Sequence, residues 1–448
     1  MTLTVTHKKQ RAFAKHTPKW QRFQTTLILP SDKSASQMGG VTKSSASLHP
    51  YQRQYSHVYH QRLAQLKPRC WEAVEALGDT EDIVKVERIL DLREELRSIL
   101  VGTVVKEGSG EEIHPKSRCQ ASQGVFIEDE SGRVNLDVEN VHDFCTGMIL
   151  GLQGIVGKDG IMKVEKVIFP AFPPRSSIAA DGSSSTANSS GESSVGPPHL
   201  LLVSGLNCGD PNMSPLQRDM LLSYVRGHFT NAAAKVAQVI VAGGCTPEGD
   251  ALSLVGLKEL DGFCLQVCAA GVPVDILPGK DDPNTANWPQ RPLHGSMLKY
   301  TDRHASHMLS RSPNPYAAIH GSKYVLGTDG TNVTDLSLSL LAKDKNDAYA
   351  PVSNLESLRR TLLCGHICPT GPDTVPTMPH PEQDPMVIPE MPHVYFAGNC
   401  EQFATDLVET DSVKCRLLCV PKFSETGEAV LVNLETLQVE LLRFEDPC

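Results

Sequence analysis

The chain is predicted to be a mixed α/β protein of more than one domain, with a small β-barrel followed by a parallel α/β unit. Three observations predict this. Between about residues 83 and 170, short apolar strands are separated by Gly-containing turns. After residue 200 the pattern changes, and short buried strands alternate with helical stretches. Between the two blocks runs a stretch rich in Ser, Gly and Pro.

Residues 1–49 carry eight Lys/Arg against a single acid, Asp32, with many Ser and Thr. Such a composition overlaps with a mitochondrial transit peptide, but Lys outnumbers Arg and no amphipathic helix stands out. The segment reads instead as a disordered basic tail, of the kind that serves as a nuclear address. From Arg53 to Leu66, Tyr55, Val58, Tyr59, Leu63 and Leu66 fall at helical spacing, and Pro68 is expected to end that helix. In the barrel block, Ile99-Leu100-Val101 and Val104-Val105 form one strand, with Gly102 as an expected bend or bulge. Gly124–Ile127 and Val134–Leu136 flank Ser131-Gly132, a hairpin signal. Gly147–Val156 and Ile161–Phe169 flank Lys158-Asp159-Gly160, a second one. About five strands with two hairpins suit a small barrel such as the OB fold. The expected domains are a tail at 1–49, helix and barrel at 50–170, a linker at 171–199, and an α/β domain at 200–448.

The last block reads strand, helix, strand, helix, strand. Leu200–Val203, Val239–Ala242 and Val272–Leu277 are the strands, and helices are expected over 216–236 and 252–270. Such a pattern implies a parallel sheet with right-handed crossovers. Any site then lies in the loops at the strands' carboxyl ends.

Bulk properties narrow the function. A net charge of −10 over 448 residues excludes a surface dominated by phosphate contacts. The 13 cysteines lie scattered through apolar segments, as reduced thiols do. No apolar run reaches the ~18 residues of a membrane span, and no membrane association is expected.

The three-stranded unit, with Val394–Gly398 as a late strand before Asn399, resembles the calcineurin-like metallophosphoesterases. The resemblance implies a β-sandwich flanked by helices. In active members two metals ~3.5–4 Å apart clamp a phosphoester, so acids and imidazoles follow each strand. Here the loops read Ser204-Gly205-Leu206, Gly243-Gly244-Cys245, Pro278-Gly279-Lys280-Asp281-Asp282 and Gly398-Asn399-Cys400-Glu401. The second has no acid before Glu248, and Lys280 stands where an Asn-His pair would begin. Asp281 and Asp282 remain, with a turn role before Pro283. The expectation is no catalytic, cofactor-binding or metal-binding residue and no cofactor.

Other clusters of metal-type residues face the same test. Cys364-Gly365-His366-Ile367-Cys368 has no second ligand pair at finger spacing, so a packed loop is expected. Cys264/Cys268 share a helix face toward the core, and Cys415/Cys419 lie in a strand-like run. His294, His304 and His307 are expected on a surface loop. Gly327-x2-Gly330 and Gly205-x3-Gly209 lack phosphate-cradle spacing. Phe126, Phe144 and Phe169 are expected in the barrel core rather than as stacking platforms.

Several longer stretches carry a narrower resemblance. These are Tyr51–His57 with Tyr59 and Arg62-Leu63, Val272–Asp275 with Pro278-Gly279, and Asn314-Pro315-Tyr316. Leu326-Gly327-Thr328 with Asn332–Asp335, His366–Thr370 with Pro372-Asp373-Thr374, Pro392–Asn399 and Leu431–Leu434 continue the series. Together they resemble the small (B) subunit of DNA polymerase delta, an OB domain before a degenerate phosphoesterase domain. The resemblance implies a nuclear, non-catalytic accessory subunit acting in DNA replication and repair. It implies three associations: the cysteine-rich C-terminal domain of the catalytic subunit, a further accessory subunit, and indirectly the sliding clamp. DNA contact is expected to be weak or indirect. The long Ser/Gly linker and basic tail depart from the family pattern. The alternatives are an active metal-dependent phosphodiesterase, built from Asp281, Asp282 and His366, and a single-strand binder acting through the barrel.

Overall fold

The computed structural model describes residues 56–78, 83–108, 122–175, 198–213, 215–229, 235–247, 254–343, 349–380, 383–410 and 413–445. The basic tail, Tyr51 to Tyr55, linker residues 176–197, Glu248 and the start of the second expected helix at 252–253 lie outside them.

The chain enters through α1 (Ser56–Ala76). This helix does not end at Pro68 but runs through it for two further turns. The reason is packing. Leu66, Cys70 and Val74 are fully buried on one continuous row against the barrel. Apolar burial at ~1.5–3 kcal/mol per side chain offsets the ~3 kcal/mol of an interior proline.

The barrel comprises β1 (Val84–Val86), β2 (Arg97–Gly108), β3 (Ser122–Glu128), β4 (Arg133–Asp137), β5 (Ile149–Val156) and β6 (Ile161–Ile168). Strand order is β1-β2-β3-β4-β6-β5, and β5 pairs back onto β2 to close it. Both expected hairpins form. In the first, the Asp129 carboxylate accepts from the backbone N–H of Ser131 and Gly132 and reaches across to Ile89. Gly102 is not a bulge: β2 keeps its register with β5 on both sides of it. A Cβ there would lie 2.7 Å from Ile127 Cγ1, so glycine serves close strand packing.

The expected linker starts inside ordered structure. Ala171 N–H bonds to Arg69 O at 2.9 Å, and the Arg175 guanidinium donates to the Lys414 and Pro392 carbonyls. Phe172 packs on the core of the last domain. Those contacts fix a stretch whose composition reads as linker.

The remainder is a two-sheet sandwich. Its first half holds β7 (Pro198–Val203), α2 (Pro215–Val225), β8 (Lys235–Ala242), α3 (Leu254–Ala269), β9 (Val274–Leu277), α4 (Lys299–Ala305) and β10 (Leu309–Arg311). Next come β11 (Tyr316–His320), β12 (Lys323–Thr328), α5 (Thr331–Ser339), β13 (Leu341–Lys343), β14 (Tyr349–Pro351) and α6 (Asn354–Leu363). The chain closes with β15 (Val394–Cys400), β16 (Ala404–Glu409), β17 (Lys414–Pro421), α7 (Phe423–Thr426), β18 (Glu428–Asn433) and β19 (Val439–Arg443). α2 stops at Val225 rather than running to Val236, because Lys235 and Val236 already pair with β7.

One sheet has the order β10-β9-β8-β7-β18-β19, the other β11-β12-β15-β17-β16. β7, β8, β9 and β10 are mutually parallel. Their side chains divide by the strand period. Leu200, Leu202 and Ile240 face the other sheet, meeting Tyr316, Phe396 and Leu418. Leu201, Val203 and Val239 face α2 and α3, meeting Leu221, Phe263 and Val267. Burial on both faces is why these strands read as continuous apolar runs. No described helix is long and apolar enough to cross a membrane.

Barrel and sandwich share a core, in which Leu100, Val104 and Phe144 meet Leu336, Leu340 and Cys364. Across this junction Arg62 of α1 is wholly buried. It donates to Asp384 Oδ2 at 2.9 Å, to Gly147 O of the barrel, and to Pro369 O and Gly371 O of the sandwich.

Candidate functional site: the loops at the sandwich rim

The four loops singled out by the sequence converge, and each is bonded to its neighbours. After β7, Ser204 is buried; its hydroxyl donates to Pro421 O at 3.0 Å and accepts the Asn399 N–H at 2.9 Å. The β7 and β8 loops then zip together through backbone bonds from Gly205 N to Gly243 O, Asn207 N to Gly244 O and Cys208 N to Cys245 O, each within 3.0 Å. Glycine is required where they touch. Gly244 sits at φ 63°, and a Cβ on it would overlap Asn399 Oδ1 and lie 2.8 Å from Gly205 Cα. At such separations the ends of β7 and β8 meet main chain against main chain.

Asn399, next to last in β15, has a positive φ of 48°. Its amide donates to Ala242 O at 3.1 Å and Asp329 O at 2.9 Å, tying three strand ends together. Positive φ is tolerated best by Asn among side-chain-bearing residues.

The two neighbouring acids behave differently. Asp281 is exposed, whereas Asp282 is buried. Asp282 Oδ1 accepts from Cys245 N at 2.8 Å, Thr246 N at 2.9 Å and the Thr246 hydroxyl at 3.1 Å; Oδ2 accepts from Gly279 N at 2.7 Å. Its role is therefore wider than a local turn, since it brackets the β8 and β9 loops. Burial pushes its carboxyl up, against the pull of these donors.

Sequence reasoning passed over a second buried acid at this rim, Asp329, after β12. Oδ1 accepts from Asn314 Nδ2 at 2.8 Å, and Oδ2 accepts from Lys280 N at 3.0 Å and the Thr331 hydroxyl at 2.5 Å. Its carboxyl too is raised by burial. The available signal was its place between Gly327 and Gly330 at a strand-to-helix turn. With lone pairs turned toward N–H and O–H donors, both acids serve as acceptors that hold loops.

The remaining candidates lie elsewhere. His366 is buried: Nδ1 accepts from Cys368 N at 3.1 Å, so Nε2 carries the proton and donates to Asp384 Oδ2 at 2.9 Å. Burial and the nearby Arg62 charge lower it to about 4, so the ring is neutral. Cys364 and Cys368 are buried thiols raised to about 12 by desolvation, far from the thiolate that binds metal. Cys264 and Cys268 face the core below α3 as expected. On β17 the alternation sends Cys415 and Cys419 with Leu417 to one side, and Leu418 to the other. His294 caps a 3-10 turn, and His304 lies on α4 rather than in a loop; both are exposed, as is His307. Among the described residues no three His, Cys, Asp or Glu are grouped to hold a metal ion.

In the barrel, Phe144 is core, whereas Phe126 and Phe169 are only half-buried. Arg133 covers the Phe126 ring at 3.7 Å. Phe169 lines a recess of about 200 Å³ between barrel and α6, with Arg360 at its rim. Phe126 sits on the outward face of β3, between the buried Val125 and Ile127, whereas Phe169 follows β6 and packs on the edge of the barrel core.

Comparison with known proteins agrees with this architecture. Residues 54–167 match the family model described as DNA polymerase delta subunit OB-fold domain, and residues 200–405 match that of the alpha/epsilon DNA polymerase B-subunits. The chain is 29% identical over 427 residues to the DNA polymerase delta small subunit of Oryza sativa subsp. japonica, covering 88% of this chain and 93% of that one. It is 29% identical over 433 residues to DNA polymerase delta subunit 2 of Drosophila melanogaster, covering 88% and 94%. To the small subunit of Saccharomyces cerevisiae it is 26% identical over 449 residues, covering 88% and 90%. A barrel closed by β5 on β2, a sandwich with mutually bonded rim loops, and matches spanning both place this chain in the family of DNA polymerase delta small subunits.

Proposed function

We propose that the chain is a non-catalytic accessory subunit of DNA polymerase delta in the nucleus, serving replication and repair synthesis as a scaffold. It would grip the cysteine-rich C-terminal domain of the catalytic subunit and a further accessory subunit, and through them reach the sliding clamp. The relatives' names over 88% of the chain support the complex. The observation that carries the scaffold role is the bonding of the rim loops to one another: Asp282 and Asp329 are engaged by donors, and Gly205, Gly243, Gly244 and Gly279 are in near-contact. Residues so placed do not fit a metal pair, so no metal-dependent step is assigned to them.

Two measurements test the reading. Co-expressed with the C-terminal domain of its own catalytic subunit, the chain should purify as a stoichiometric complex; separate elution would refute the scaffold. Purified protein should show no manganese-dependent phosphodiesterase activity above background. Activity abolished by Asp281→Ala or Asp282→Ala would replace the proposal with an enzyme.

A further inference from the structure

The sign of the surface reverses around α4. From Arg291 to Arg311 the chain carries Arg291, Lys299, Arg303 and Arg311 against Asp302 alone, in a protein of net charge −10. Arg311 takes Asp302 at 3.6 Å. Lys299 and Arg303 are exposed, and neither side chain has an ion-pair or hydrogen-bond partner among the described residues.

α4 is held rigidly. The buried Asp261 carboxylate of α3 accepts from Tyr300 N at 2.7 Å and Thr301 N at 2.8 Å, fixing the first turn. Thr301 and Ala305 are buried, which turns Lys299, Tyr300, Arg303 and His304 outward. Tyr300 is 54% exposed. Lys299 and Arg303 form one i,i+4 row, and Tyr300 and His304 form the row beside it. On the neighbouring α3, the exposed acid Glu259 is taken by Arg218 at 2.7 Å.

We propose that α4 is a docking surface for a nucleic-acid single strand. Lys299 and Arg303, with Cβ atoms ~5–6 Å apart, take neighbouring phosphates, and Tyr300 offers a base its ring face. A protein interface centres on a buried apolar patch, and α4 presents only Tyr300 outward, so the chemistry favours a phosphate backbone. The inference goes beyond the accessory role and does not depend on it.

The test is fluorescence anisotropy of a labelled oligothymidylate with the full chain, titrated over sodium chloride. Lys299→Glu with Arg303→Glu should weaken binding about tenfold or more at low salt. It should also make the log–log salt slope shallower by about 1.4, at ~0.7 per phosphate. Tyr300→Ala should weaken binding ~5- to 150-fold while leaving the slope unchanged. The basic residues 1–49 contribute equally to every variant, so the differences report α4. A matching urea midpoint excludes misfolding, and Lys163→Glu with Lys166→Glu on the barrel should leave the α4 increment intact. Three results overturn the proposal: no binding by the unmutated chain at low salt, wild-type affinity and slope in the double variant, or equal competition by polyglutamate, which would assign the surface to an acidic protein segment.

Discussion

Removing one carboxylate tests the bonding of the rim loops most directly. Asp282→Ala strips the acceptor from three buried backbone N–H groups, those of Cys245, Thr246 and Gly279. An unsatisfied buried donor costs ~1–3 kcal/mol. Relief of the carboxylate's own desolvation, which raises its pKa, offsets part of that, leaving a loss of roughly 3–5 kcal/mol. Asp282→Asn keeps an oxygen for the three donors on the Oδ1 side and turns its amide toward Gly279 N–H, so one mismatch remains, at ~1–3 kcal/mol. Asp281→Ala, at an exposed position, should stay within ~0.5 kcal/mol. Urea denaturation followed by tryptophan fluorescence suits the measurement, because Trp288 is buried on the same loop. The reasoning fails if Asp282→Ala unfolds at the same urea concentration as Asp281→Ala. It fails equally if manganese shifts the midpoint of the unmutated chain but not of the Asp282 variant, since the acid would then be a ligand.

Other outcomes follow from the same physics. Asp384→Ala abandons Arg62 as a buried charge, at ~3–5 kcal/mol; because Arg62 bridges α1, barrel and sandwich, limited proteolysis should separate the two parts. Gly330→Ala drives a Cβ into Gly398 O at φ 90° and should give insoluble protein, whereas Gly262→Ala, in α3 with nothing within 4 Å, should raise stability by ~0.5–1 kcal/mol in thermal unfolding. For pH, burial lowers His320 and His366 to about 4 and His393 to about 3, while burial, opposed by bonds from Tyr316 and Gln238, pushes Asp275 up to about 7. Between pH 6 and 5, unfolding makes three imidazoles take up protons and Asp275 release one. The net uptake of about two protons weakens the fold on acidification by ~2.7 kcal/mol per pH unit. Asp275→Asn should steepen that slope to ~4.1 kcal/mol, and an unchanged slope in urea titrations would refute the assignment.

How much was legible in the sequence differs from element to element. The barrel hairpins were, because Asp159-Gly160 and Ser131-Gly132 encode turns through bonds and torsions within a few residues. The parallel strands were, because burial on both faces leaves an unbroken apolar run. Pro68 misled, since the rule that prolines end helices is local, whereas the row Leu66, Cys70, Val74 is held by a barrel lying beyond it in sequence. Gly102 misled in the same way: its reason is Ile127 on the next strand. Half-buried Phe126 also depended on which face of β3 the closed barrel turned outward.

By itself the sequence determined the two-part architecture, the family resemblance and the loops that meet at the rim, with Ser204, Gly244, Lys280 and Asn399 among their residues. Only the tertiary structure decided what those residues do, because a hydrogen bond between Asn399 and Ala242, or the seating of Asp329 on Lys280, joins residues far apart in the chain. No local pattern encodes such a contact. It exists once two sheets have packed and brought their strand ends within 3 Å of one another.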